Sequence, residues 1–166
     1  MSLILDTLFS ANTVTATIRV LTLLVFGTMA AVINVTSGIN NIGIEGIFLS
    51  SALVAVLGSW LTQSWILGML LAVLWGVALS LLFGYLTMKL GTNNILCGLA
   101  LNMFASGGTV FVLSAVTGQK GSSISLASKV APRFSIPLLK EIPYIKVLFT
   151  DYSFFTYLAI AVVIFV

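Results

Sequence analysis

An all-α, polytopic membrane protein is the fold class this sequence predicts, and three observations carry the prediction. Of 166 residues, 60% are hydrophobic and only 7% charged, too few charges to cover a soluble domain of that length. The runs 20–44, 46–88 and 90–119 hold no charged residue at all, and each exceeds the roughly 20 residues that cross a bilayer. Clusters of Gly, Asn, Ser and Trp interrupt these runs at 37–46, 59–65 and 89–94, which gives about four complete transmembrane helices, the start of a fifth near the end of the chain, and a broken or re-entrant segment near 37–46.

Residues 1–17 mix Leu3, Ile4, Leu5, Leu8 and Phe9 with Asp6, Ser10, Asn12 and Thr13, a pattern for a short interfacial segment. The transmembrane region, 18–117, opens with a span from about Ile18 to Thr36, with Arg19 placed to reach one surface. Then comes Ser37-Gly38-Ile39-Asn40-Asn41-Ile42-Gly43-Ile44-Glu45-Gly46. Backbone that leaves the helical ladder inside a bilayer must lie against protein or a water-filled cavity, so Gly38, Gly43 and Gly46 are expected to loosen the chain where it lines something.

The second span is expected over Ile42–Leu61, capped by Asn40 or Asn41. Glu45, the only acidic residue between Asp6 and Glu141, then falls in its first turns, where unpaired N–H groups favour an anion. The alternative reading of Glu45 is functional. Insertion does not decide between the two: an ionised side chain at mid-helix costs about 2.5–3.5 kcal/mol, which Leu, Ile, Val and Phe downstream offset at roughly 0.3–0.6 kcal/mol each.

Trp60 and Trp65 bracket Thr62-Gln63-Ser64 as a surface turn. In the third span, about Ile66–Met88, small residues recur every four positions at Gly68, Ala72, Gly76, Ser80 and Gly84, a face that lets a neighbouring helix approach closely and is read here as packing. Gly91 suits a helix end, and Thr92 or Asn93 a cap. The fourth span, about Asn94–Thr117, places Asn94, Gly98, Asn102 and Ser106 on one face. Amides on one stripe of a membrane helix turn away from lipid, either bonding a neighbour or lining a pathway.

The remainder is less regular. A polar loop, 118–150, holds Lys120, Lys129, Arg133, Lys140, Lys146 and Glu141 with all three prolines, and 151–166 begins an apolar helix that runs uncapped to Val166, as the N-terminal part of a longer protein would. Cys97 is the only cysteine and there is no His, which excludes a disulfide framework and leaves no Cys- or His-based metal site. Paired carboxylates, a nucleophile elbow and a Walker-type loop are all missing, so no catalytic residue is nominated. The net charge of +3 with mean hydropathy +1.21 is ordinary for a membrane protein and implies no nucleic-acid partner.

Residues 37–49, Ser-Gly-Ile-Asn-Asn-Ile-Gly-Ile-Glu-Gly-Ile-Phe-Leu, resemble the S/A-G-x-x-N-I/L-G-x-E-G-M-M-L signature of permeases in bacterial ABC importers of the branched-chain amino-acid, ribose and nucleoside superfamily. Thr92-Asn93-Asn94-Ile95-Leu96-Cys97-Gly98-Leu99-Ala100-Leu101-Asn102 is similar to that family's A-N-E-V-I-x-G-L-M-L-N segment, with Asn94 in place of the usual acid. The likeness covers roughly residues 17–117 and is greatest to the nucleoside and simple-sugar permeases. It implies a multi-pass subunit of the cell membrane that forms a translocation path with a second permease subunit. The other partners it implies are a cytoplasmic ABC ATPase, which uses the ATP, and an extracytoplasmic substrate-binding lipoprotein; this chain itself would bind no cofactor. On that reading Asn34, Asn41, Glu45, Asn94 and Asn102 are the candidates for lining the path, since amides match a neutral, hydroxyl-rich solute without burying net charge.

Positive-inside counting places the 118–150 loop in the cytoplasm, whereas the resemblance places it outside; the resemblance is followed here. Two readings from other classes stand beside it: a proton-coupled small-molecule transporter working through Glu45, and a non-transporting membrane scaffold whose polar stripes serve packing alone.

Overall fold

The structure, a computed structural model, describes residues 11–118, 126–129, 133–134 and 152–165. Five α-helices account for nearly all of them: α1 (Ala11–Thr36), α2 (Ile44–Thr62), α3 (Trp65–Gly84), α4 (Asn94–Thr117) and α5 (Phe154–Phe165). Four are long and apolar enough to cross a membrane, over Thr15–Thr36, Ile44–Thr62, Trp65–Lys89 and Asn94–Thr117, and α5 is a shorter apolar helix. The expected interfacial segment falls mostly on residues 1–10, outside the described residues; residues 11–17 are the first turns of α1. The expected loop 118–150 is likewise described only in part.

Local chemistry sets each helix end. Between α2 and α3 the chain reverses in Gln63 and Ser64, and Gln63 adopts a left-handed conformation (φ 51°), its side-chain amide donating to the Trp60 carbonyl at 2.6 Å. The last turn of α3 widens into a π turn over Tyr85–Lys89, where the Leu90 N–H reaches back to the Tyr85 carbonyl at 3.2 Å. Gly91, at φ 66°, then ends the helix. Asn93 caps α4, its side-chain oxygen accepting from the N–H groups of Ile95 and Leu96 at 2.9 and 3.3 Å. Gly118, at φ 70°, closes that helix by donating to the Ser114 carbonyl.

The chain divides into two compact units, Met1–Met29 with Ala131–Val166, and Ala30–Val130. In the first, Arg133–Phe134 and Tyr152–Ser153 form two short antiparallel strands (β1 and β2), Arg133 opposite Ser153. The buried hydroxyls of Thr22 in α1 and Thr156 in α5 are hydrogen-bonded at 3.3 Å.

The second unit is built around α2, which packs against both α3 and α4. Small residues permit the approach to α3. A Cβ placed on Gly68 would lie 2.7 Å from the Ala55 carbonyl oxygen and 2.8 Å from the Ser59 nitrogen, so the two backbones are nearly in contact. A Cβ on Gly84, on the same stripe, meets nothing within 4 Å. Gly68→Ala is therefore expected to lower the midpoint of thermal unfolding of the purified protein, with a cost of about 1–3 kcal/mol from overpacking, whereas Gly84→Ala leaves that midpoint unchanged.

Gly43, at the cap of α2, and Gly46 face Gly98 and Asn102 of α4 in the same order along both segments, so α2 and α4 run parallel, with α3 packed antiparallel on α2. The far end of α2 carries a different anchor. Ser59, buried there, donates to the Lys129 carbonyl and accepts from the Lys129 N–H, both at 2.9 Å. This puts Lys129 near the end of α2 opposite the α1–α2 junction, about 22 Å along the helix from Ile44 at 1.5 Å per residue.

Candidate functional site

The interruption expected at 37–46 is real but shorter: α1 ends at Thr36 and α2 begins at Ile44, so residues 37–43 leave the ladder. Of the three glycines expected to loosen it, Gly38 alone is left-handed, at φ 80° with no atom near its missing Cβ. Gly43 and Gly46 serve contact instead. A Cβ on Gly43 would meet Leu101 at 2.9 Å, and one on Gly46 would lie 2.9 Å from both the Cα of Asn102 and the carbonyl oxygen of Leu101. From the other side, a Cβ on Gly98 would stand 2.8 Å from the Gly43 nitrogen. Gly98 was on the polar stripe of the fourth span, yet its partner across the joint could not be read from one helix alone.

Capping of α2 also differs from the expectation that Asn40 or Asn41 would do it. Gly43 occupies the cap position, and Asn41 instead accepts from the Gly43 N–H at 2.9 Å, two residues on. The cap for the first turn comes from a different helix: the Asn102 side-chain oxygen accepts from the Gly46 N–H at 2.7 Å, while its NH₂ donates to the Ile42 carbonyl at 3.1 Å. One amide thus satisfies both an unpaired donor of the helix start and an unpaired acceptor of the break.

Beside this joint lies a partly open cavity of about 510 Å³, within the roughly 300–1,000 Å³ usual for small-molecule sites. The last turns of α1, the break, the start of α2 and the second half of α3 enclose it. Asn34, Asn41 and Ser80 supply its polar lining, Ile44, Ile47, Phe48, Val73, Val77 and Leu81 much of the apolar remainder, and none of the described residues that line it is charged. Asn34 donates to the Ala30 carbonyl at 2.7 Å, which leaves its side-chain oxygen unused, and Asn41 spends its oxygen on Gly43, which leaves its NH₂. The cavity therefore offers one amide acceptor, one amide donor group and a hydroxyl.

The structure brings together Asn34 and Asn41 of the sequence-derived residues and leaves the others off this surface. Asn102 is committed to the α2–α4 joint, Asn94 opens α4, and Glu45 is exposed in the first turn of α2, on the face it shares with Phe48, Leu49 and Ala52. The period-four stripe of α3 is divided: Gly68 packs against α2, Gly76 contacts Ser51 of α2 and also borders the cavity, and Ser80 and Gly84 line it. Ala72 is half-buried between the two halves. Ser51 was missed; its hydroxyl is buried with no hydrogen-bond partner and stands 3.2 Å from the position of a Gly76 Cβ. Among the described residues no three His, Cys, Asp or Glu are grouped to hold a metal ion.

Residues 12–166 match the family model described as branched-chain amino acid transport system / permease component. A nucleoside ABC transporter permease protein of Lactococcus lactis is 34% identical over 149 residues, 85% of this chain and 46% of that protein. A guanosine ABC transporter permease protein of Bacillus subtilis is 30% identical over 149 residues, 83% of this chain and 45% of the relative. A putative glucose ABC transporter permease protein of Haloferax volcanii is 28% identical over 103 residues, 62% of this chain and 31% of its own length. The chain thus spans between about a third and just under half the length of these relatives. No solved structure matches it.

Proposed function

Because the chain belongs to the branched-chain amino acid transport system / permease component family, we propose that it acts as a membrane-spanning permease subunit of an ATP-driven ABC importer for nucleosides or simple sugars. The observation that carries the reading is the cavity at the α1–α2 break, bordered by Asn34, Asn41 and Ser80 and lined by no charge among the described residues. A neutral solute with several hydroxyls exchanges its bonds to water for amide and hydroxyl partners there, and no net charge enters the low-dielectric interior. The nucleoside, guanosine and glucose permeases among its relatives support the same reading.

Energy then comes from elsewhere. A separate cytoplasmic ATPase hydrolyses ATP, a second permease completes the path, and an extracytoplasmic lipoprotein delivers solute. Asn34 and Asn41 are the residues of this chain that meet the solute; Asn102 positions the break without touching it. Glu45, exposed and off the cavity wall, is not required for the chemistry of transport.

Uptake of radiolabelled guanosine and glucose into cells expressing the whole importer tests this. Abolishing ATP hydrolysis in the partner ATPase is expected to reduce uptake to background, while Glu45→Gln retains at least a third of it. Uptake that survives the ATPase lesion but vanishes in Glu45→Gln would establish the proton-coupled alternative instead.

A further inference from the structure

The stripe of small residues on α3 packs against α2 in its first half and borders the cavity in its second. Resting on the importer reading, we infer that Ser80 and Gly84 form the solute-contacting wall of the cavity, Ser80 as a hydrogen-bonding group and Gly84 as the residue that limits the size of what fits. The ligand class is a small, neutral, hydroxyl-bearing molecule with one apolar face.

Three observations support it independently of the stripe's periodicity. First, the stripe parts company with its neighbour along its length. A Cβ on Gly68 would press into α2 backbone at 2.7 Å and one on Gly76 would reach Ser51 at 3.2 Å, whereas one on Gly84 would meet only open space. Close helix packing therefore explains a small residue at 68 and not at 84, and the space beyond Gly84 belongs to the cavity.

Second, hydroxyls in this unit mostly return to their own helices. Ser50 donates to the Gly46 carbonyl, Thr87 to Phe83, Ser106 to Met103 and Thr109 to Ser106. Ser80, exposed on the cavity lining, makes no such bond among the described residues, so its hydroxyl is open to a partner there. Third, Ser80 shares its cavity with the unused oxygen of Asn34 and the unused NH₂ of Asn41, and with the apolar side chains of Phe48 and Ile44. A ligand that carries both hydroxyls and carbon surface matches this mixed lining.

The test uses the complete importer in native membranes, in a Cys97→Ser background. Ser80→Cys and Gly84→Cys are treated with a small methanethiosulfonate reagent, with and without saturating guanosine, uridine, glucose or ribose. Modification at both positions, slowed at least threefold by one of these solutes, supports the proposal. No modification at either position means that another helix fills the space, and equal modification with every solute means that none contacts this wall; either result overturns it. In a parallel uptake assay Gly84→Leu is expected to raise KM for the largest transported solute at least tenfold more than for the smallest, while Gly107→Leu, on α4 with open space beside it and off the cavity lining, stays within twofold of the parent for both. Equal kinetics for Gly84→Leu and parent would refute the size limit while ATP-dependent uptake, and with it the importer reading, still stood. Loss of ATP-dependent uptake in the parent itself would instead sink that reading, and the labelling would still decide the site.

Discussion

Asn102→Leu should unlock the start of α2: the variant importer is expected to unfold at a markedly lower temperature and to lose at least nine-tenths of its uptake. The physical reason is the double role of one side chain. Its oxygen holds the Gly46 N–H at 2.7 Å and its NH₂ holds the Ile42 carbonyl at 3.1 Å, and leucine fills similar volume while offering neither. Each backbone group left without a partner costs about 1–3 kcal/mol, so the pair amounts to about 2–4 kcal/mol once partial rescue by water is allowed for. A factor of ten in population needs only about 1.4 kcal/mol. Fluorescence-monitored thermal unfolding of the purified complex and uptake in reconstituted vesicles measure the two effects. Asn94→Leu is the control: Asn94 does not bond to the break, and its loss should move the unfolding midpoint far less. Equal effects of the two substitutions would refute the bracing role.

Closing the gap between α2 and α4 with a methyl group should be nearly as damaging. Gly46→Ala puts a carbon 2.9 Å from the Asn102 Cα and the Leu101 carbonyl oxygen, and Gly98→Ala puts one 2.8 Å from the Gly43 nitrogen. These obstacles are main-chain atoms, which cannot rotate aside as a side-chain tip can. The helices must separate, at about 1–3 kcal/mol for either substitution, and separation also stretches the Asn102 bonds. Both changes act on one joint, so the double variant should lose less stability than the sum of the singles, with a coupling of about 0.5–3 kcal/mol. A thermodynamic cycle on the unfolding midpoints reads this directly; strict additivity would mean that the two glycines do not share an interface.

How much of this was legible beforehand varies with the range of the interaction. The fourth span has the bounds expected, Asn94–Thr117, because Asn93 and Gly118 are local punctuation whose hydrogen bonds reach only a few residues. The second span starts at Ile44 instead of Ile42 because its cap is supplied by Asn102, more than fifty residues on. No search for local caps finds such a partner. Period four gathers Gly68, Ala72, Gly76, Ser80 and Gly84 on a single face of α3. It carried no information on where α2 stops following that face, which is why Ser80 and Gly84 were grouped with the packing residues. The amides of the fourth span were expected either to bond a neighbour or to line a path: Asn102 bonds the start of α2, while the amides that border the cavity, Asn34 and Asn41, come from α1 and the break.

The parallel course of α2 and α4 has an electrostatic consequence. Their N-terminal ends, at Gly43 and Asn93, lie at the end of the unit where α1 and α3 finish, at Thr36 and Gly84. Each helix terminus is equivalent to about half an elementary charge, and two positive ends meet two negative ones, so their fields largely offset. The polarity at the cavity mouth is therefore that of Asn34, Asn41 and Ser80, not of the helix termini.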